Sequence, residues 1–102
     1  MLEPSSRSQA GLVYHFSPEA FGALRRLLAG QCGGTLETGV VDSLGDAATA
    51  TFRVRGARLT LEYDHWDGFV SLRADAQGRG VLQSLRARLD ASEYPVLEES
   101  DE

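Results

Sequence analysis

Apolar positions change their spacing several times along the chain, and each change marks an element. "GLVYHF" is a short apolar run that predicts a strand ending at Phe16. Ser17-Pro18-Glu19 then reads as a helix start, with Ser as N-cap, Pro at the first helical position and an acid in the first turn. Phe21, Leu24 and Leu28 follow as one stripe, with Ala20 and Leu27 beside it and Gly30 as the terminator. "QCGG" connects to "TLETGVVD", a weakly alternating strand in which Gly39 predicts a bulge, and "SLGD" turns the chain.

The clearest alternation lies in "ATATFRVRGARLTLEYD". A two-residue turn at Gly56-Ala57 sets position 54 opposite 59 and 52 opposite 61. Phe52, Val54, Leu59, Leu61 and Tyr63 then share one face, and Thr51, Arg53, Arg55, Arg58, Thr60 and Glu62 the other. "FVSLRAD" continues as a strand burying Val70, Leu72 and Ala74. A four-residue loop, His65 to Gly68, pairs 63 with 70. "AQGRG" interrupts, and "VLQSLRARLDA" predicts a second amphipathic helix with Val81, Leu82, Leu85 and Leu89 inward.

The order β-α-β-β-β-β-α predicts an α+β fold: an antiparallel sheet of four to five strands with two helices packed on one face. The core is expected at Phe16, Phe21, Leu24, Leu28, Phe52, Val54, Leu59, Leu61, Leu72, Leu82, Leu85 and Leu89. Residues 11–91 form the domain, residues 1–10 a flexible arm, and residues 92–102 a flexible acidic tail. The sheet's second face is left open, with Arg53, Arg55, Arg58 and Arg73 on it.

At 102 residues the chain is one domain, large enough to bury a core unaided. It contains no Lys, Ile or Asn, a pattern expected of a GC-rich, bacterial genome, so its ten arginines carry less functional weight than usual. Of the formal charge of −5, the last eleven residues supply all five units, and residues 1–91 balance ten acids against ten arginines. A net-acidic chain with no aromatics among its strand arginines argues against nucleic-acid binding. The sole cysteine, Cys32, excludes an intrachain disulfide. No apolar run approaches a membrane span, and no secretory signal is visible, so a cytoplasmic location is expected.

Candidate chemistry concentrates in "YDHWDG". Asp64, His65 and Asp67 have side chains suited to a divalent metal, but Asp and Gly are also the residues a hairpin turn requires. Trp66, the only tryptophan, either folds back on the core edge or stands out as a contact residue. Cys32 with His15 or His65 would be a thiol and its base, yet its place after a helix C-terminus disfavours a thiolate. Gly78-Arg79-Gly80 opens a helix, though two glycines without a βαβ unit do not make a nucleotide fingerprint. On the arginine face, Arg55 opposite Arg58 is unfavourable unless an anion lies between them. That face reads as solvated surface, or as a groove for an acidic partner or the chain's own tail.

With no convincing catalytic set and no cofactor implied, the chain reads as a small protein-interaction module: an adaptor, chaperone-like, inhibitor or immunity-type protein. Its partner-binding residues are expected to be Trp66, Arg53, Arg55, Arg58 and Arg73, and its partner a protein, an acidic one. The alternative is a small enzyme or metal-binding protein using Asp64, His65 and Asp67.

Overall fold

A computed structural model describes residues 11–41 and 47–101. The elements are β1 (Leu12–Phe16), α1 (Ala20–Gly30), β2 (Thr35–Val41), β3 (Ala47–Val54), β4 (Ala57–Asp64), β5 (Phe69–Ala74), α2 (Arg79–Ser84), α3 (Arg86–Asp90) and β6 (Glu98–Asp101). The fold is α+β. The strands make one open sheet in the order β2-β3-β4-β5-β1-β6, with every neighbouring pair antiparallel. The sheet therefore has six strands rather than four or five, and the described residues hold three helical segments rather than two.

Alternation dictates the layering. Leu12, Tyr14 and Phe16 of β1 share one face with Phe52 and Val54, Leu59 and Leu61, and Val70 and Leu72. Leu24, Leu27 and Leu28 of α1, Leu82 of α2, Leu89 of α3 and Leu85 between them join the same cluster, so the helices lie on that side. Every expected core residue is buried except Phe21, which packs against the cluster at its edge. Leu12, Tyr14 and Ala50 also belong to the core, and β1, though short, is flanked by β5 on one side and β6 on the other.

Several local features depart from the expectations. Around α1, the Ser17 hydroxyl hydrogen-bonds the Glu19 carboxylate and caps no backbone N–H of the helix. The helix runs through Gly30, and the left-handed residue that ends the connector's first turn is Gly33, at φ 68°. Gly34 then passes so close to α1 and β3 that a Cβ would lie 2.7 Å from the Leu28 carbonyl oxygen and 2.9 Å from Val54 Cγ2. The β2 bulge falls between Leu36 and Thr38, leaving Glu37 as the extra residue, and Gly39 pairs regularly with Ala50. The "SLGD" turn lies outside the described residues.

The β3–β4 turn is centred on Arg55-Gly56, with φ of 51° and 82°, and closes Val54 onto Ala57. Phe52 accordingly pairs with Leu59, not Leu61. The correction moves the register by two residues, and a two-residue shift preserves the face of every residue that stays in the strands, because the side-chain period is two; Arg55 alone passes from the open face into the turn. Two positive φ values at a two-residue turn describe the mirror-image turn that suits the twist of a hairpin. Arginine pays a steric penalty there that Asn or Gly largely avoids. Replacing Arg55 with Asn is expected to stabilise the fold by about 0.5 kcal/mol, net of a solvent-exposed hydrogen bond to Ser84. Urea denaturation of the two proteins measures it, and a loss of stability would show that the Arg55 contacts outweigh the backbone cost.

The expected single C-terminal helix is two short ones meeting at Leu85. The Ser84 hydroxyl donates to the Val81 carbonyl at 2.6 Å, the back-bonding that perturbs helices from within. The break keeps Leu82, Leu85 and Leu89 all inward.

Residues 98–101, expected in a loose tail, form edge strand β6 against β1. Tyr94 and Val96 pack on the core edge, and the Leu97 N–H donates to the His15 carbonyl at 2.8 Å to begin the ladder. Backbone groups of β1 that would otherwise form a sheet edge are thereby paired.

Candidate binding surface

The hairpin loop between β4 and β5 is built by its backbone. The N–H groups of Asp67 and Gly68 both donate to the Asp64 carbonyl at 3.1 Å, and Gly68 takes φ 74°. Asp64 Oδ1 accepts the Trp66 N–H at 2.9 Å, an Asp folding back on its own turn. This leaves the Trp66 side chain 85% exposed, with only the His65 ring edge-on to it at 6.0 Å. It does not fold back on the core edge.

Beside the loop, the open face of the sheet carries a cleft of about 240 Å³. His15, Thr49, Glu62, Phe69 and Arg73 are among the residues lining it. The His15 and Phe69 rings meet with centroids 4.4 Å apart and planes tilted by 56°. Arg73 reaches Glu62 at 3.2 Å, and Thr60 lies opposite Arg73 in the register as the alternation requires. The cleft thus offers one apolar wall, one cation paired to an acid, and hydroxyls.

The remaining arginines are elsewhere. Arg53, not Arg55, stands directly opposite Arg58, and the carboxylate beside these two like charges is Glu37, the extra residue of the bulge. It lies 2.9 Å from Arg53 Nε and 3.5 Å from Arg58 Nε. The Arg53 hydrogen bond is the main reason the Glu37 carboxyl is held below its usual range. Arg55, in the turn, leaves the open face and reaches the Ser84 hydroxyl of α2 at 3.2 Å. Arg53, Arg55 and Arg58 border a separate cleft of about 320 Å³ with Asp75 and Gln77. It sits at the opposite end of β4 from Trp66, and the strand's eight residues span about 25 Å. Arg73 thus lines the cleft beside the loop, whereas Arg53, Arg55 and Arg58 line the other one.

The acidic segment meets a different set of bases. Glu98 lies 3.3 Å from His15 Nδ1, Glu99 2.7 Å from Arg86, and Asp101 2.7 Å from Arg79. None of these is one of the four strand arginines to which the acidic tail was a candidate partner. Spacing along the chain carries no sign of this set, because Arg79 comes from the break read before the second helix, Arg86 from that helix and β6 from the region read as tail.

Among the described residues, no three His, Cys, Asp or Glu side chains gather as metal ligands, so Asp64, His65 and Asp67 are not brought together in that way. Cys32 packs against the core, on the helix side, whereas His15 is on the open face with the sheet between them. Burial pushes the Cys32 thiol up, and nearby Arg88 and Arg55 offset this only in part. Cys32 is therefore expected to react with a disulfide reagent at neutral pH more slowly than free cysteine, and to speed up on adding denaturant. Equal rates in the folded and unfolded protein would contradict this. At Gly78, the N–H already donates to Asp75 Oδ1 at 2.8 Å, which occupies the amide that an anion would need. No helix among the described residues is long and apolar enough to cross a membrane.

No family model matches the sequence, and no curated protein or solved structure is significantly similar to it.

Proposed function

We propose that the chain is a small, non-enzymatic protein-interaction module that binds a protein partner through the β4–β5 loop and the adjoining part of the open sheet face. The observation that carries this reading is Trp66, a large apolar side chain held out in water on a backbone-bonded turn. Solvating an indole is unfavourable, and tryptophans placed this way are enriched among residues that dominate binding. The cleft beside it supplies the polar complement. Arg73 and Glu62 set orientation, and the His15–Phe69 pair extends the apolar area. The setting is a cytoplasmic one in a bacterium with a GC-rich genome, and the partner surface carries negative charge to meet Arg73.

The test is affinity capture from the native organism with wild-type and Trp66→Ala baits, followed by mass spectrometry. A protein retained by the first and lost by the second supports the reading. Identical capture by both baits would remove Trp66 from the interface.

A further inference from the structure

Strand β6 buries no apolar side chain, unlike its neighbour β1. Its residues are Glu98, Glu99, Ser100 and Asp101, of which only Ser100 is partly covered, and the preceding Leu97 is 67% exposed. It is held by the β1 ladder and by three ion pairs whose carboxylates are between 44% and 70% exposed. Exposed pairs of this kind are weak and screened by salt. Its neighbour β1 is the opposite: Leu12, Val13, Tyr14 and Phe16 are all buried. A weakly held strand thus covers the backbone edge of a firmly held one. Segments with few apolar contacts are those that open locally without global unfolding.

We propose that this edge of β1 is a docking site for an extended acidic segment of another protein, and that β6 is its resident, displaceable occupant. An incoming strand would make the same main-chain ladder, the mode of strand addition to a sheet edge. Selectivity comes from the period of two. On the helix side, alternate positions meet Arg86 and Arg79, as Glu99 and Asp101 do; on the open side the residue before them meets His15, as Glu98 does. Arg86 is fixed for this by Asp90 at 2.8 Å and by the Tyr14 ring, 5.3 Å below its guanidinium. Arg79 is tied to the Gly11 carbonyl at 3.2 Å. The site therefore reads an extended segment with two acids two residues apart and a third preceding them. A second copy of this chain is not the favoured occupant. Its tail offers the same contacts as the tethered one without the tether's millimolar effective concentration. A different protein, bringing contacts beyond the four residues of β6, competes where a copy does not. This site shares His15 with the cleft beside the β4–β5 loop but makes no use of Trp66, so its test does not depend on that residue.

The test uses the full chain and a fluorescent peptide of residues 92–102 as the probe, read by anisotropy. In one variant Glu98→Arg, Glu99→Arg and Asp101→Arg together turn the resident strand against its own bases. The milder pair Glu99→Gln and Asp101→Asn serves if that variant does not fold. The probe is expected to bind the vacated variant ~tenfold or more tighter than wild type. Binding should weaken as salt rises and disappear when Arg79→Glu and Arg86→Glu are added. Equal binding to wild type and variant, indifference to the two arginines, or no binding to a folded variant would each overturn the proposal. So would wild-type dimers that exchange this strand, detected by sedimentation, because they would give the edge to a second copy.

Discussion

Replacing Leu61 with alanine is expected to destabilise the fold by about 2–5 kcal/mol, the range for emptying a fully buried leucine site. Leu61 has no exposed surface and lies at the middle of β4, with Ala50 beside it on β3 and Leu72 on β5. The neighbouring Ala50 is already small, and the backbone on both sides is fixed by ladders, so the sheet has little freedom to close over the vacated volume. The loss should appear in urea denaturation as a lower midpoint with an unchanged slope. A cost below about 0.5 kcal/mol would mean that Leu61 faces water, and every face assignment in β3, β4 and β5 would reverse with it.

Replacing Trp66 with alanine should have a large effect of another kind. Partner binding is expected to weaken by about 2 kcal/mol or more, roughly thirtyfold, while the melting temperature hardly moves. The second half of this expectation follows from geometry: a side chain 85% exposed at a loop tip contributes little to the core. Charge changes should then divide by position. Arg73 lines the cleft next to the loop, so Arg73→Ala is expected to reduce affinity and its salt dependence. Arg58→Ala, at the far end of β4, should change neither appreciably. A drop of many degrees for Trp66→Ala would instead make the tryptophan part of the folded core's edge. Equal effects of Arg58 and Arg73 would put the partner across the whole face.

The central hairpins were legible in the sequence because alternation is strict there and a one-residue slip would bury arginines beside Phe52 and Leu59. The four-residue His65–Gly68 loop followed from matching the apolar faces of β4 and β5, and its register is the one found. The β3–β4 turn lies one residue earlier than expected, which moves the register by two, since glycine takes the second turn position and Arg55 the first. Alternation cannot detect an error of two. A bulge in β2 was signalled by Gly39, but its place at Glu37 was not; there it sets a carboxylate beside Arg53 and Arg58. The sixth strand was hidden for a similar reason. "EESD" has neither apolar alternation nor β-branched residues, and what makes it a strand is the free edge of β1 together with the bases that β1, α2 and α3 bring beside it. Of the candidate surface, Trp66 and Arg73 came from the sequence. The His15–Phe69 pair did not, because it joins the first and fifth strands, which are distant in the chain and adjacent only through the sheet order.

Because Trp66 is the only tryptophan, its fluorescence reports one site without labelling, and its accessibility to acrylamide measures the proposed contact directly. In the free protein the emission should be that of an indole in water, quenched nearly as efficiently as in an unfolded chain. After addition of the captured partner, the emission should shift to the blue and the quenching should fall sharply. An indole already shielded in the free protein, or one still fully quenched with the partner bound, would contradict the account.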